Sequence, residues 1–300
     1  MKKKLIMLIA AIIALSVSAQ TKRALVIGIS NYPECGADSW GAIHGANDAE
    51  LIVPILQAQG FETTKICNED ATAEKIRKEL DALVKSCSAG DIVYLHFSCH
   101  GQPVEDLNGD EEYGWDASVI PYDAQKVFKK GKYEGQNHIT DDTLHTYFQK
   151  IRKRIGESGF VCVVVDACYA GGSSRGIEET EDGEDDVFVR GTKIGFTFSN
   201  NKSFRPRHDT NSSFQIPRES NLADMTILEA CRHYQTNHEI KQSGKYYGPL
   251  SYFISQVLKN KKLTKSLDWV KDVQTQIENS SKNRLTGQPT QNMVYETTLQ

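Results

Sequence analysis

Hydrophobic positions fall along this chain in short unbroken runs, separated by segments in which they recur at helical spacing. Arg23 to Ser30 (RALVIGIS) is short and rich in branched residues, which predicts a buried strand. A helix is predicted from about Asn47 to Gln59, kinked or shortened by Pro54, and a second strand from Phe61 to Cys67. Between Thr72 and Cys87 the residues Ile76, Leu80, Leu83, Val84 and Cys87 share one helical face, and Asp91 to Ser98 (DIVYLHFS) returns to strand composition. Ala117 to Pro121 reads as a short strand, and Thr140 as the cap of a helix with Leu144, Phe148, Ile151 and Ile155 inward. Phe160 to Val165 (FVCVVV) is apolar without alternation, as a strand covered on both faces should be. Met225 to Cys231 predicts a strand, Pro249 starts a helix, Thr264 to Glu278 gives another, and the end is extended. Strands alternating with helices predict an α/β fold: a doubly wound, mostly parallel sheet with helices on both faces.

Between these elements, residues 171–221 are dominated by Gly, Ser, Asn and charge, including the acidic run Glu178 to Asp186, and predict a long surface loop. Ahead of the first strand, Lys2 to Lys4, an apolar run from Leu5 to Val17 and Val17-Ser18-Ala19 have the form of a secretory signal. Residues 1–19 are therefore expected to be removed, leaving one domain over 20–300, secreted or periplasmic and not membrane-spanning. No Cys follows the cleavage position to accept a lipid. The chain carries 35 basic against 39 acidic residues, a net charge of −4. Losing three lysines would deepen this negative charge, which makes nucleic acid an unfavourable partner.

Seven cysteines, an odd number in a chain of this kind, flag at least one unpaired and reactive thiol. Ligands of open α/β sheets bind beyond the carboxyl ends of the strands, and two reactive residues fall there. His100 follows the Asp91 to Ser98 strand, and Cys168 follows the Phe160 to Val165 strand within Asp166-Ala167-Cys168-Tyr169-Ala170-Gly171-Gly172. An imidazole that takes a thiol proton and returns it to a leaving amine suits acyl transfer, with the N–H groups of Gly101 and Cys168 available to an oxyanion. Taken singly, Cys168 would be an inert buried thiol and His100 a turn residue; their joint placement at strand ends favours chemistry. A zinc site of His96, Cys99 and His100 is disfavoured, because His96 and His100 would stand about 13 Å apart at ~3.3 Å per residue of strand.

The turn Gly28-Ile29-Ser30-Asn31-Tyr32, the segment Gly45-Ala46-Asn47-Asp48-Ala49, His100-Gly101 and Asp166-Ala167-Cys168 together resemble the caspase-like cysteine peptidases, nearest the metacaspases and clostripain-related bacterial proteins. Caspases carry Gln two residues before the Cys and the His about 50 residues upstream. Here the first position is Asp166 and the His stands 68 residues upstream. The resemblance implies that this acid, joined by Asp48, lines a pocket for Arg or Lys; Asp48 is alternatively a helix N-terminal carboxylate facing the macrodipole. It also implies a cysteine endopeptidase acting through a thioester on proteins or peptides cut after Arg or Lys. No cofactor is needed for that chemistry. Calcium, which many metacaspases require, would be held by Asp123, Asp141 and Asp142, the last two being equally suited to the first turn of a helix. Two other functions remain open, an inactive binding module of the same fold and a thiol hydrolase of non-peptide substrates. The loop after Cys168 offers its own cations to the pocket, with Arg190 or Lys193 the expected positions of self-cleavage.

Overall fold

A computed structural model describes residues 20–169, 188–192, 194–198, 204, 210–282 and 291–299 of the chain. The signal-like segment, Lys193 and the acidic run at 178–186 lie outside the described residues. Seven strands form the main sheet: β1 (Lys22–Gly28), β2 (Phe61–Cys67), β3 (Ile92–Ser98), β7 (Phe160–Asp166), β8 (Ser213–Gln215), β9 (Asp224–Glu229) and β12 (Val294–Thr297), in the order β2-β1-β3-β7-β9-β12-β8. From β2 to β9 every neighbouring pair is parallel, and β12 then runs antiparallel to β9. The helices are α1 (Gly45–Ala58), α2 (Ala73–Ser86), α3 (Asp141–Ile155), α4 (Pro249–Leu258) and α5 (Asp268–Lys282). Outside the main sheet, β4 (Gly101–Glu105), β5 (Trp115–Val119) and β6 (Ile139–Thr140) make a small antiparallel sheet, and β10 (Ile240–Gln242) and β11 (Lys245–Tyr247) a hairpin.

The unbroken apolar runs follow from burial on both faces. Along β3, Val93, Leu95 and Phe97 join Ile76 and Leu80 of α2 and Leu144, Phe148 and Ile151 of α3 on one side. Ile92 and Tyr94 point to the other, among residues of α1, α4 and α5 such as Ile52, Ile254 and Val273. Strand β7 divides in the same way, Val161, Val163 and Val165 against Phe160, Cys162 and Val164. The expected doubly wound sheet is present.

Three local expectations differ from what is found. Helix α1 runs through Pro54 without interruption, because Pro54 and Glu50, whose carbonyl loses its N–H partner, both face solvent. The stretch 171–221 is not simply a surface loop: Arg190 and Phe196 are fully buried and residues 213–215 form β8. Helix α5 begins later than Thr264, since the Ser266 hydroxyl accepts the Asp268 N–H at 3.1 Å and fixes the start there. Thr140 does cap α3, accepting from the Thr143 N–H at 3.4 Å. No helix among the described residues is long and apolar enough to cross a membrane.

Candidate active site

Sheet register brings the candidate residues together. Ser98, the last residue of β3, pairs with Gly28 at the end of β1 and with Asp166 at the end of β7. His100 and Cys168 each lie two residues beyond that row, so neighbouring strands deliver them side by side. Helix α1 meets the same row because Gly45 has no side chain: a Cβ there would lie 2.2 Å from the Ser98 carbonyl oxygen. That close approach sets Asp48, in the first turn of α1, over the strand ends.

The His100 ring packs against a pair of neighbouring aromatic rings, stacked on Trp40 at 5.0 Å between ring centres and tilted against Tyr32 at 5.2 Å. Its Nε2 stands 2.8 Å from the Gly41 carbonyl oxygen, which can only accept, so the ring proton sits on Nε2 and the lone pair on Nδ1. Nδ1 is buried with no hydrogen-bond partner among the described residues. Burial, reinforced by the positive charges of Lys126 and Arg190 and resisted by the Gly41 bond, pushes the His100 pKa down to about 4. The ring is therefore a neutral base at physiological pH. The Cys168 thiol donates to the Gln235 carbonyl at 2.9 Å, and Cys231 shares that carbonyl at 3.6 Å. A hydrogen bond to Cys168, together with burial, pushes the Cys231 thiol pKa up. None of the seven cysteines is in a disulfide among the described residues.

Arg190 lies fully buried between Asp48 and Asp166. Its Nη2 is 2.7 Å from Asp48 Oδ2 and its Nη1 3.5 Å from Asp166 Oδ1, and Nη1 donates to Ser98 Oγ at 2.6 Å. A third carboxylate completes the cage: Glu239 Oε1 accepts from Nε at 3.0 Å and from Nη2 at 2.8 Å. Burial works against the charge on Arg190, yet Asp48, Asp166 and Glu239 together hold its pKa above the ordinary value. Burial lifts Asp48 to about 7 in spite of Arg190. Glu239 stays below the usual range, because Arg190 and His44 outweigh its own burial.

Asp166 is fixed from the far side by the Ser251 N–H at 2.8 Å and hydroxyl at 2.6 Å, and by Asn237 Nδ2 at 2.7 Å. Gly248 closes the cage, where a Cβ would lie 2.2 Å from Asp166 Oδ2. The backbone of this segment is held as well. The Arg190 carbonyl oxygen accepts from the N–H of Cys168 at 2.8 Å and of Gly101 at 3.2 Å. The Arg190 N–H donates to the Asn237 carbonyl at 3.1 Å, and the Glu239 N–H to the Phe188 carbonyl at 3.0 Å.

The sequence thus placed His100, Gly101, Cys168, Asp48, Asp166 and Arg190 in one region. Glu239, Ser98 and Ser251 were missed, since each is a common residue with no local pattern around it. Asp123 is not brought together with Asp141 and Asp142. Its carboxylate accepts from the Ala73 N–H at the start of α2 and from Asn137 Nδ2. Three other carboxylates do come together, with one oxygen each of Asp106, Asp110 and Asp116 within 4.8 Å of one another, the first two on the connection from β4 to β5 and Asp116 in β5 itself. Asp116 is only 9% exposed, and its Oδ1 has no partner among the described residues. Burial, then Asp142, Asp106, Asp110 and Glu111, push the Asp116 pKa up to about 6. Asp141 rises to about 8, first through burial.

A profile of the caspase domain matches residues 21–299. Metacaspase-1B of Aspergillus fumigatus is 26% identical over 303 residues, covering 90% of this chain and 68% of its own. Metacaspase-7 of Arabidopsis thaliana is 30% identical over 161 residues, covering 50% of this chain and 35% of its own. Among solved structures, protein GSU0716 from Geobacter sulfurreducens superposes with a TM-score of 0.56 at 19% identity, covering 92% of this chain and 93% of the other. The structure of pro-sf-caspase-1 superposes with a TM-score of 0.50 at 14% identity, covering 94% and 88%. The doubly wound sheet and the match across nearly the whole chain show that this protein belongs to the caspase-domain family and is a cysteine-type endopeptidase similar to the metacaspases.

Proposed function

We propose that this protein cleaves peptide bonds after Arg or Lys through a thioester on Cys168, and that it is made as a precursor that cuts itself after Arg190. One observation carries the reading: Arg190 fills the acidic cage while its carbonyl oxygen lies against the N–H groups of Cys168 and Gly101. Residues 188–190 also bond to 237–239 as an added strand would, which is how peptide substrates commonly dock on sheet edges. In this reading the segment is an internal substrate, and the bond between Arg190 and Gly191 is the one to be cut.

Cys168 gives up its hydrogen bond to Gln235 and passes its proton to His100 Nδ1. The sulfur attacks the Arg190 carbonyl carbon, and negative charge developing on the oxygen is met by the two N–H groups already pointing at it. His100 then protonates the Gly191 nitrogen as it leaves, and water releases the thioester. After the cut, the same cage receives a basic residue from another protein. Calcium, if bound, fits Asp106, Asp110 and Asp116, whose hard oxygens include the unpartnered Oδ1 of Asp116, and would neutralise that acidic connection. Secretion or periplasmic residence is proposed from the signal-like residues 1–19 alone.

A panel of fluorogenic peptides ending in Arg, Lys, Asp or Leu tests the reading, using purified wild type, Cys168→Ala and His100→Ala. Cleavage after the basic residues by wild type only is expected. Equal turnover by Cys168→Ala would move the nucleophile elsewhere, and cleavage after Asp or Leu would remove the pocket. A protein that binds peptides without cutting them would support the inactive module instead.

A further inference from the structure

We infer that Glu239 makes this site selective for arginine over lysine, with His44 as the residue that positions the Glu239 carboxylate. The inference rests on the reading above, in which Arg190 stands where the basic residue of a substrate binds. A guanidinium has five N–H donors in a fixed fork, whereas an ammonium has three on one atom. All five are matched here. Nη1 faces Ser98 Oγ at 2.6 Å and the Asp166 carbonyl oxygen at 3.3 Å, and Nη2 faces Asp48 at 2.7 Å and Glu239 at 2.8 Å. Nε faces Glu239 alone, at 3.0 Å.

A lysine in the same place would carry a methylene where arginine has Nε, and its nitrogen would fall near the guanidinium carbon. Asp48, Asp166 and Ser98 can serve either cation. Glu239 serves them unequally, because its Oε1 spans both Nε and Nη2 of arginine, whereas lysine would put a methylene at Nε and give that oxygen one N–H in place of two.

Glu239 is also unable to move toward a lysine. Its side chain is 0% exposed, its Oε1 accepts the His44 N–H at 2.7 Å, and its Oε2 lies 2.6 Å from His44 Nδ1. His44 immediately precedes α1, and its ring stacks on Tyr246 at 5.1 Å. The start of α1 thus holds two of the three cage carboxylates, Asp48 directly and Glu239 through His44.

The test compares kcat/KM on two peptides identical except for Arg or Lys at the cleaved position, in self-cut enzyme. Wild type should prefer Arg by at least about tenfold, the size of one hydrogen bond to a charged group. Glu239→Gln should lower turnover of the Arg peptide about 10- to 100-fold and that of the Lys peptide much less, so the ratio collapses. Asp48→Asn should lower both together. His44→Ala should erode the ratio through KM with kcat kept, a split that general loosening of the fold would not give. Arg190→Lys in the otherwise intact chain should cut itself more slowly than wild type, a readout that needs no added peptide. Equal use of Arg and Lys by wild type, or an equal fall of both in Glu239→Gln, would overturn the inference and leave the peptidase reading standing. A wild type that cuts neither peptide would overturn both.

Discussion

At the scale of single residues, a base is useful only if it is neutral when the thiol must lose its proton. His100 meets this first by burial, and the positive charges of Lys126 and Arg190 act in the same direction. Removing Arg190 takes away a positive charge that lowers the His100 pKa and opens the site to water. Arg190→Ala in a Cys168→Ala background should therefore raise the His100 pKa above about 4, while the burial by Trp40 and Tyr32 keeps it below the ordinary histidine value. The ring proton signals of His100 followed by NMR from pH 3 to 8 would show it, and an unchanged midpoint would mean that the docked segment does not set the base. His100 was legible in the sequence because it stands beside a Gly at a strand end. Glu239 was not, because an acid in a polar connection looks the same whether it faces solvent or a guanidinium. What distinguishes it is a partner on another element, His44, which no local pattern reveals.

At the scale of elements, the helices and the parallel core of the sheet were legible, since burial on one or both faces leaves a period of 3.6 or an unbroken apolar run. The short strands were not. The hairpin of β10 and β11 (Ile240–Gln242 and Lys245–Tyr247) is polar and mostly exposed, and β8 has three residues, so neither shows a hydrophobic signal. The antiparallel return of β12 was hidden too, because strand direction leaves no mark on composition. The connection from β4 to β5 is a third case, acidic by sequence but with its geometry set by the turn. Beside it, Asp116 of β5 is buried among like charges, a cost that a divalent cation would remove. Calcium should raise the melting temperature of Cys168→Ala by an amount that grows with concentration. Asp116→Asn should raise it without calcium, by relieving repulsion, and abolish the further rise. A calcium-induced rise that persists in Asp116→Asn, or none in the parent, would place any calcium elsewhere.

At the scale of the whole molecule, a cut after Arg190 divides the chain but not its core. The first fragment would hold β1, β2, β3 and β7 with α1, α2 and α3, and the second β8, β9 and β12 with α4 and α5. Strand β9 pairs with β7 along six residues, from Asp224 opposite Phe160 to Glu229 opposite Val165. On one face, Ile52 and Leu56 of α1 share a buried cluster with Leu250 and Ile254 of α4 and Val270 and Val273 of α5. Separating the fragments would expose that cluster and unpair the middle of the sheet, a loss comparable to unfolding either piece. The two fragments should therefore migrate as one particle in gel filtration and separate only under denaturing conditions. Intact mass should place the break between Arg190 and Gly191 in wild type and find an uncut chain in Cys168→Ala and in Arg190→Ala. Identical fragments from wild type and Cys168→Ala would show that another protease makes the cut. Fragments that part in native buffer would mean that the cleaved form is a product of decay and not the working enzyme.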